Sequence, residues 1–304
     1  MRVKVIINPR SGKGRGREQT DVIGALGKRY GELDIYPTQR PGHGRVLAAA
    51  AAAEGYDLVA AAGGDGTVHE VVSGLVDAGG GERAALPLGI LPIGSGNDLA
   101  YGLDILDKLE RAVQRLFNGQ PRTVDMGRVT DDRGRSEIFH NNLGIGFDAI
   151  VVMRTETMKR LSGFPMYLTA VMQTILFHYG APPMEILFDG EAVNQRALFL
   201  YVGVGPRGGS GFLLTPDALR DDDQLDTCTV NPVGRVTMLY MLTRVMKGTH
   251  VTSRHVTMRR NREIAVRSPQ PMPMYVDGEM FAYPRDNVHE VTITSMPAAL
   301  QVMV

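Results

Sequence analysis

The chain has almost no cysteine, no net charge and no long apolar run, and each lack removes a class of function. One thiol in 304 residues, Cys228, cannot build a disulfide framework. Set in the alternating stretch LDTCTV, it reads as a small buried apolar group rather than a nucleophile, and a reducing compartment is expected. Thirty-three lysines and arginines balance thirty-three aspartates and glutamates. The balance survives a cut near residue 124, with 15 cationic against 14 acidic residues before it and 18 against 19 after it, so nothing argues for a nucleic-acid partner. No segment approaches the roughly 18 apolar residues that span a bilayer. The start, MRVKVIINPR, reads as a strand rather than a leader, and a cytoplasmic protein is the expectation. The seven histidines lack metal-ligand spacing, and no repeat of solenoid period is visible.

What is present divides in two. Residues 1–124 alternate strand and helix: VKVIIN, a helix to about Arg29, LDIYPT, a helix from about Gly44 to Glu54, DLVAAA, and LPLGILPI. This predicts an α/β domain with a parallel sheet. The alanines from Ala48 to Ala53 fit closely packed helical scaffold. From residue 125 to 304 short alternating pieces separated by glycine and asparagine predict a mostly antiparallel β-sandwich, with the extreme carboxy terminus free to return to the first domain. Two helical inserts rich in methionine and leucine interrupt it, roughly Ile150 to His178 and Val236 to Lys247.

The stretch LVAAAGGDGTVHEVVSGL carries the chemistry of the first half. A strand runs into glycines and then a helix whose Val68, Val71, Val72 and Leu75 share one face. Such a turn binds anions through free helix N–H groups, and GSGND at 94–98 supplies a second one. Lys13, Arg15 and Arg17 lie where they would add positive charge. Neither the Walker pattern nor G-x-G-x-x-G is matched. Thr67 to Glu70 also forms the capping box T-x-x-E, so a plain helix start stands beside the phosphate reading. Asp65 poses the puzzle, because a carboxylate repels phosphate unless a cation or a donor stands between them.

NPRSG at 8–12, Thr38 with Gly42-His43, GGDGTVHEVVSGL, PIGSGNDLA, GVGPRGGSGF, PDALRDDDQLD and the late VDGE at 276–279 resemble, in order, the motifs of the diacylglycerol kinase catalytic family. The resemblance covers nearly the whole chain. It implies an amino-terminal nucleotide domain, a carboxy-terminal sandwich that holds lipid, ATP between them, and Mg2+. By resemblance, ATP contacts fall on Asn8, Pro9, Arg10, Ser11, Gly12, Thr38, Gly64, Asp65, Gly66, Thr67, Val68, His69, Glu70, Ser95, Asn97 and Asp98. A structural Mg2+ falls on Asp222 with the carbonyl oxygens of Leu219 and Gln224, an oxygen-only set that suits this hard cation. The family usually has glycine where Asp223 stands, asparagine where Val204 stands, and GHA where the chain has Gly42-His43-Gly44.

Phosphoryl transfer to an alcohol needs positioned phosphates, a divalent cation and a carboxylate that takes the hydroxyl proton. The resemblance makes Glu279 that base, with Asp277 helping it, and sets Asp65 toward catalytic Mg2+. A likeness to nicotinamide-dinucleotide kinases at GGDGT would instead make Asp65 the base. Asp-Gly-Glu occurs twice, at 189–191 and 277–279. Since Asp-Gly between apolar runs signals a hairpin, both are turn candidates, and motif order selects the second as catalytic. The segments 167–177 and 236–246 are candidates for an acyl pocket or for plain core. Arg254, Arg259, Arg260 and Arg262 are candidates for peripheral contact with anionic lipid headgroups.

The sequence therefore predicts an ATP- and Mg2+-dependent kinase of a lipid alcohol, soluble or peripheral at the membrane, with a homodimer allowed. A kinase of a small soluble alcohol, a nicotinamide-dinucleotide kinase and a non-catalytic nucleotide-binding regulator are the alternatives.

Overall fold

The structure is a computed structural model that describes residues 1–304 except Lys13, Lys159, Arg160, Ser162 and Ser210. The chain divides into two compact units, Met1–Asp125 with Met296–Val304, and Met126–Ser295.

The first unit runs β1 (Arg2–Ile7), α1 (Arg15–Gly27), β2 (Glu32–Pro37), α2 (His43–Ala50), β3 (Leu58–Gly63), α3 (Asp65–Ala78), β4 (Leu88–Pro92), α4 (Asp98–Gly102) and α5 (Leu109–Asn118). Strands β2, β1, β3 and β4 lie side by side and parallel. The residues of β1, β3 and β4 are buried on both faces, as strands covered on both sides require, while β2 at the edge is only half-buried. One face packs Val3, Val5, Leu58 and Ala60 against Ile23 of α1 and Ala112, Val113 and Leu116 of α5. On α2, Ala48, followed by Ala51 just past the helix end, is fully buried, so the alanine run is scaffold. The predicted apolar face of α3 is real: Val68, Val71, Val72 and Leu75 are all buried. The order 2-1-3-4 reverses direction beside β1, and in such sheets the loops at the carboxyl ends of the flanking strands diverge and leave a crevice.

Strand β5 (Pro121–Asp131) leads out of this unit. There follow β6 (Ser136–Phe139), β7 (Asn142–Gly146), α6 (Phe147–Thr155), α7 (Phe164–Phe177), β8 (Pro183–Phe188), β9 (Glu191–Arg196), β10 (Phe199–Gly203), β11 (Leu225–Val230), α8 (Arg235–Val245), β12 (Val256–Asn261), β13 (Glu263–Arg267), β14 (Met274–Val276), β15 (Glu279–Ala282) and β16 (Glu290–Met303). In the second unit β12, β11, β10, β7, β14 and β15 form one antiparallel sheet, while β9, β8, β13 and the first half of β16 form another. Leu143, Ile145, Leu200 and Val202 of the first sheet share a core with Met184, Ile186, Ile264 and Ile293 of the second. The alternate residues of the first sheet, Tyr201 and Cys228, face a separate core built with α7 and α8. Cys228 is fully buried, and burial pushes its thiol up to about 12, so it stays protonated as a small apolar filler.

The mixed α/β reading with a parallel first sheet and an antiparallel second half is what the fold shows. Three local expectations differ. The first helical insert is two helices, α6 and α7, and begins at Phe147. The last strand continues past Ser295 to Met303, with Pro297 and a left-handed Ala298 (φ 50°) breaking its alternation in mid-course. The T-x-x-E capping box does not form. Helix α3 starts at Asp65 with Gly64 as its cap residue, which puts Thr67 inside the first turn. Glu70 instead accepts the backbone N–H groups of Gly42 (2.7 Å) and Gly44 (2.8 Å), at the start of α2.

Candidate active-site elements

In the first unit every resemblance-derived nucleotide residue lies on a loop after a strand or at the helix start that follows it. Asn8–Gly12 follow β1, Thr38 follows β2, Gly64–Glu70 begin at the end of β3, and Ser95, Asn97 and Asp98 follow β4. The loop after β1 is held by its own backbone, with Ser11 N–H on the Asn8 carbonyl (3.1 Å) and Arg10 N–H on Asn8 Oδ1 (3.0 Å). Arg15 is engaged with the Gly12 carbonyl, and Lys13 lies outside the described residues.

The two glycine loops are fastened to each other. Ile93 and Gly94 both donate to the Gly63 carbonyl, at 3.2 and 3.0 Å. A Cβ at Gly94 would lie 2.2 Å from the Gly64 Cα, so Gly94 must be bare for the loops to meet. Asp65 completes the fastening: its Oδ2 accepts the Asn97 N–H (2.8 Å) and its Oδ1 the Asp98 N–H (2.6 Å). The repulsion expected between Asp65 and phosphate is thus partly offset, since the carboxylate already faces two donors. Burial, and then the neighbouring charge of Asp98, raise its pKa to about 6 against these hydrogen bonds. The arrangement presents a helix amino terminus and bare glycine backbone, which is what an anionic phosphate chain needs.

In the second unit both Asp-Gly-Glu triplets are two-residue hairpin turns, one joining β8 to β9 and the other β14 to β15. Glu279 is exposed at the first position of β15. Asp277 is buried, and its carboxylate accepts the backbone N–H groups of His140 (3.0 Å), Asn141 (3.0 Å) and Asn142 (2.9 Å). Three such bonds anchor that loop and fix the turn that carries Glu279. The anchored loop is locked further. Buried Arg220 donates to the His140 carbonyl (2.9 Å) and to Asn141 Oδ1 (2.6 Å), and Asn141 donates to the Arg207 carbonyl (2.8 Å). Sequence reasoning missed His140, Asn141 and Arg220. The one available signal was a polar triplet, HNN, between two apolar runs.

At the acidic turn, Asp222 Oδ1 accepts the Gln224 N–H (3.2 Å), and Leu219 is exposed. Asp223 holds φ 62°, the left-handed conformation in which glycine is usual, and its carboxylate pairs with Arg262. Asp226, next along, is buried with Oδ1 on Arg260 and with Oδ2 lacking any partner among the described residues. Burial, with the charges of Asp222 and Asp217 after the opposing Arg260 bond, raises its pKa. A buried, unpaired carboxylate oxygen is the kind of hard ligand a divalent cation takes. Val204 is fully buried among apolar residues, which accounts for a valine there.

Helices α7 and α8 line an apolar cavity. Its walls include Tyr167, Val171, Ile175, Met238, Met241, Leu242 and Val245, with Phe147, Phe199 and Phe212. The cavity measures about 80 Å³, and its methionines and leucines are side chains that repack readily. Asp148 in its wall is buried and bonded by the hydroxyls of Tyr167 (3.1 Å) and Tyr275 (2.6 Å). Both candidate acyl-pocket segments are therefore cavity wall as well as core. The four arginines proposed for headgroups are differently engaged: Arg259 pairs with Glu191, Arg260 with Asp226, Arg262 with Asp223, and Arg254 donates to His255. Among the described residues no helix is long and apolar enough to cross a membrane.

Comparison with known proteins agrees over the whole length. Residues 2–129 match the profile described as Diacylglycerol kinase catalytic domain, and residues 141–304 match the YegS C-terminal NAD kinase beta sandwich-like domain. A diacylglycerol kinase of Mycobacterium tuberculosis (strain ATCC 25618 / H37Rv) is 31% identical over 306 residues, covering 99% of this chain and 94% of that protein. A diacylglycerol kinase of Staphylococcus aureus (strain MRSA252) is 28% identical over 284 residues, covering 91% and 86%. A solved structure from Bacillus anthracis str. Sterne overlays with a TM-score of 0.80 at 22% identity, and another, described as a diacylglycerol kinase, with 0.73 at 20%. Both cover 99% of this chain and 96% of the other.

Proposed function

Because the chain belongs to the diacylglycerol kinase family, we propose that it transfers the γ-phosphoryl group of ATP, with Mg2+, to a hydroxyl of diacylglycerol or a related lipid alcohol. The observation that carries the lipid half of this reading is the apolar cavity between α7, α8 and the sheet. A kinase of a small soluble alcohol has no use for such a cavity. The likeness to nicotinamide-dinucleotide kinases lies in the sandwich fold of the second half, and fold alone does not carry substrate.

Each residue then has a task. The fastened glycine loops and the start of α3 hold the phosphates, and Asp65 keeps the two loops in register. Mg2+, when bound, spreads the charge that builds on the transferring group. Glu279 takes the proton of the attacking hydroxyl, on a turn kept rigid by Asp277. Asp222, with the Leu219 and Gln224 carbonyls, holds a second, structural Mg2+. Membrane contact is proposed through the outer sides of α7 and α8 rather than through the paired arginines. Leu176, Phe177, Val236 and Tyr240 are exposed there, and no acidic residue lies between Thr157 and Met184 or between Thr227 and Arg262.

The test is incubation of pure protein with labelled ATP, Mg2+ and a matched panel of lipid and soluble alcohols. Label in an organic-soluble phospholipid product is expected. Label only in soluble products, or only in a dinucleotide, would replace this function.

A further inference from the structure

One group in the cavity wall is out of character with the rest. His250 is fully buried beside Leu214, Met241 and Val245, and its Nε2 lies 3.1 Å from the Leu214 carbonyl oxygen. A carbonyl only accepts, so Nε2 carries the ring proton. Burial above all, with the charge of Arg244 acting after the opposing bond to Leu214, lowers the pKa of the ring and keeps it neutral at pH 7. In a neutral ring protonated at Nε2, Nδ1 is a lone-pair acceptor. Nδ1 is shut off from solvent and has no hydrogen-bond partner among the described residues. The other polar side groups of the wall, Asp148 and Tyr167, are already partnered: Asp148 accepts the hydroxyls of Tyr167 and Tyr275. The cavity wall is thus mostly apolar, and behind its surface lies one unmet acceptor, which a chain reaches as the surrounding side chains shift; a buried acceptor is costly to leave unmet.

We propose that His250 Nδ1 is a specificity contact, accepting a hydrogen bond from an O–H or N–H carried within the apolar part of the lipid. The inference rests on the lipid reading of the cavity and adds a chemical demand to it: the preferred occupant is a hydroxylated or amide-linked chain rather than a plain ester-linked hydrocarbon. An ester brings no donor, so it satisfies the cavity walls but not the imidazole. Sites built to bond a polar group discriminate against analogues that lack it.

The experiment is displacement of a fluorescent acyl probe from the full-length protein and from His250→Leu. One arm uses monoacylglycerols of a single chain length, plain or with one hydroxyl at successive positions. A second arm replaces the ester of the plain compound by an amide. In the unaltered protein at least one donor-bearing compound is expected to bind about three- to tenfold tighter than the plain ester, the usual worth of one neutral hydrogen bond. In His250→Leu that ratio falls to about one, with the plain ester bound at least as well as before. Histidine nitrogen resonances of the unaltered protein give a second readout that does not depend on the variant folding. The Nδ1 signal is expected to move toward its hydrogen-bonded position with the preferred compound and to stay in place with the plain ester. No donor-bearing compound preferred, or a preference that survives His250→Leu, overturns the proposal while the lipid cavity stands. Failure of every acyl compound to displace the probe overturns both.

Discussion

Asp189-Gly190-Glu191 and Asp277-Gly278-Glu279 are the same three residues in the same turn, placed in different surroundings. Both aspartates sit at φ 48° and both glycines near 90°, the left-handed pair that closes a two-residue hairpin. Both aspartates also accept backbone N–H groups from a distant segment. Asp189 takes those of Arg262 (3.0 Å) and Glu263 (2.8 Å), at the surface where β12 gives way to β13. Asp277 takes three, in the interior, from the loop that Arg220 also holds. Glu191 is spent in a forked contact with Arg259, at 3.0 and 3.3 Å. The difference teaches that the triplet encodes a turn and nothing more. A functional assignment for the second one comes from motif order and from what its aspartate anchors.

A third Asp-Gly step, Asp65-Gly66, fastens loops by the same carboxylate-to-backbone device, and a large effect is expected there. Asp65→Asn should lower turnover by about 10²-fold or more, the usual loss when a preorganised polar group at reacting phosphates is removed. With its pKa raised to about 6, Asp65 is protonated below that pH, so kcat/KM should rise through about pH 6 and Asp65→Asn should lose that limb. A profile unchanged by the substitution would leave Asp65 a fastener only.

Next is stability. Asp277→Ala strands three backbone donors in the interior and should cost about 3 kcal/mol or more by denaturant midpoint, whereas Asp189→Ala, whose donors can turn to water, should cost about 1 kcal/mol or less. Equal losses would mean that the two turns differ only in sequence position. Burial works to raise the pKa of Asp189, but the Glu263, Asn261 and Arg262 bonds outweigh it and lower the pKa. Its stabilisation is therefore present above the ordinary carboxylate pKa of about 3.9 and is lost as pH falls through the depressed value. The gap between Asp189→Ala and the unaltered protein should close in acid, as pH titrations of thermal midpoint would register. Smallest is the effect of Asp222→Ala, which should weaken Mg2+-dependent thermal stabilisation without ATP, because an ion bound only to the native state stabilises by mass action. An identical Mg2+ response in both proteins would mark the acidic turn as solvated only.

Local pattern was legible and distant partnership was not. The spacing of Val68, Val71, Val72 and Leu75 placed the buried side of α3, and glycine punctuation placed the loops after β1, β3 and β4. The capping-box alternative at Glu70 failed because the partners of Glu70, Gly42 and Gly44, start a different helix, and a capping box looks the same in sequence whether its glutamate turns back or reaches across. The anchoring of His140 to Asn142 by Asp277 joins residues more than 130 positions apart, which no spacing rule reaches. The methionine-rich segments showed themselves as apolar, but their double use as core and as cavity wall depends on how α7 and α8 pack on the sheet.

The account stands or falls most directly on single-turnover transfer from labelled ATP to a lipid alcohol, compared among the unaltered protein, Glu279→Gln and Glu191→Gln, with ATP affinity measured in each. A base that takes the acceptor proton is worth about 10²- to 10⁴-fold in rate, while an exposed turn carboxylate is worth almost nothing. The predicted result is a loss of that order in Glu279→Gln with ATP binding retained, and the unaltered rate in Glu191→Gln. Equal rates in the two variants, whether both fast or both slow, would contradict it and remove Glu279 from the chemistry.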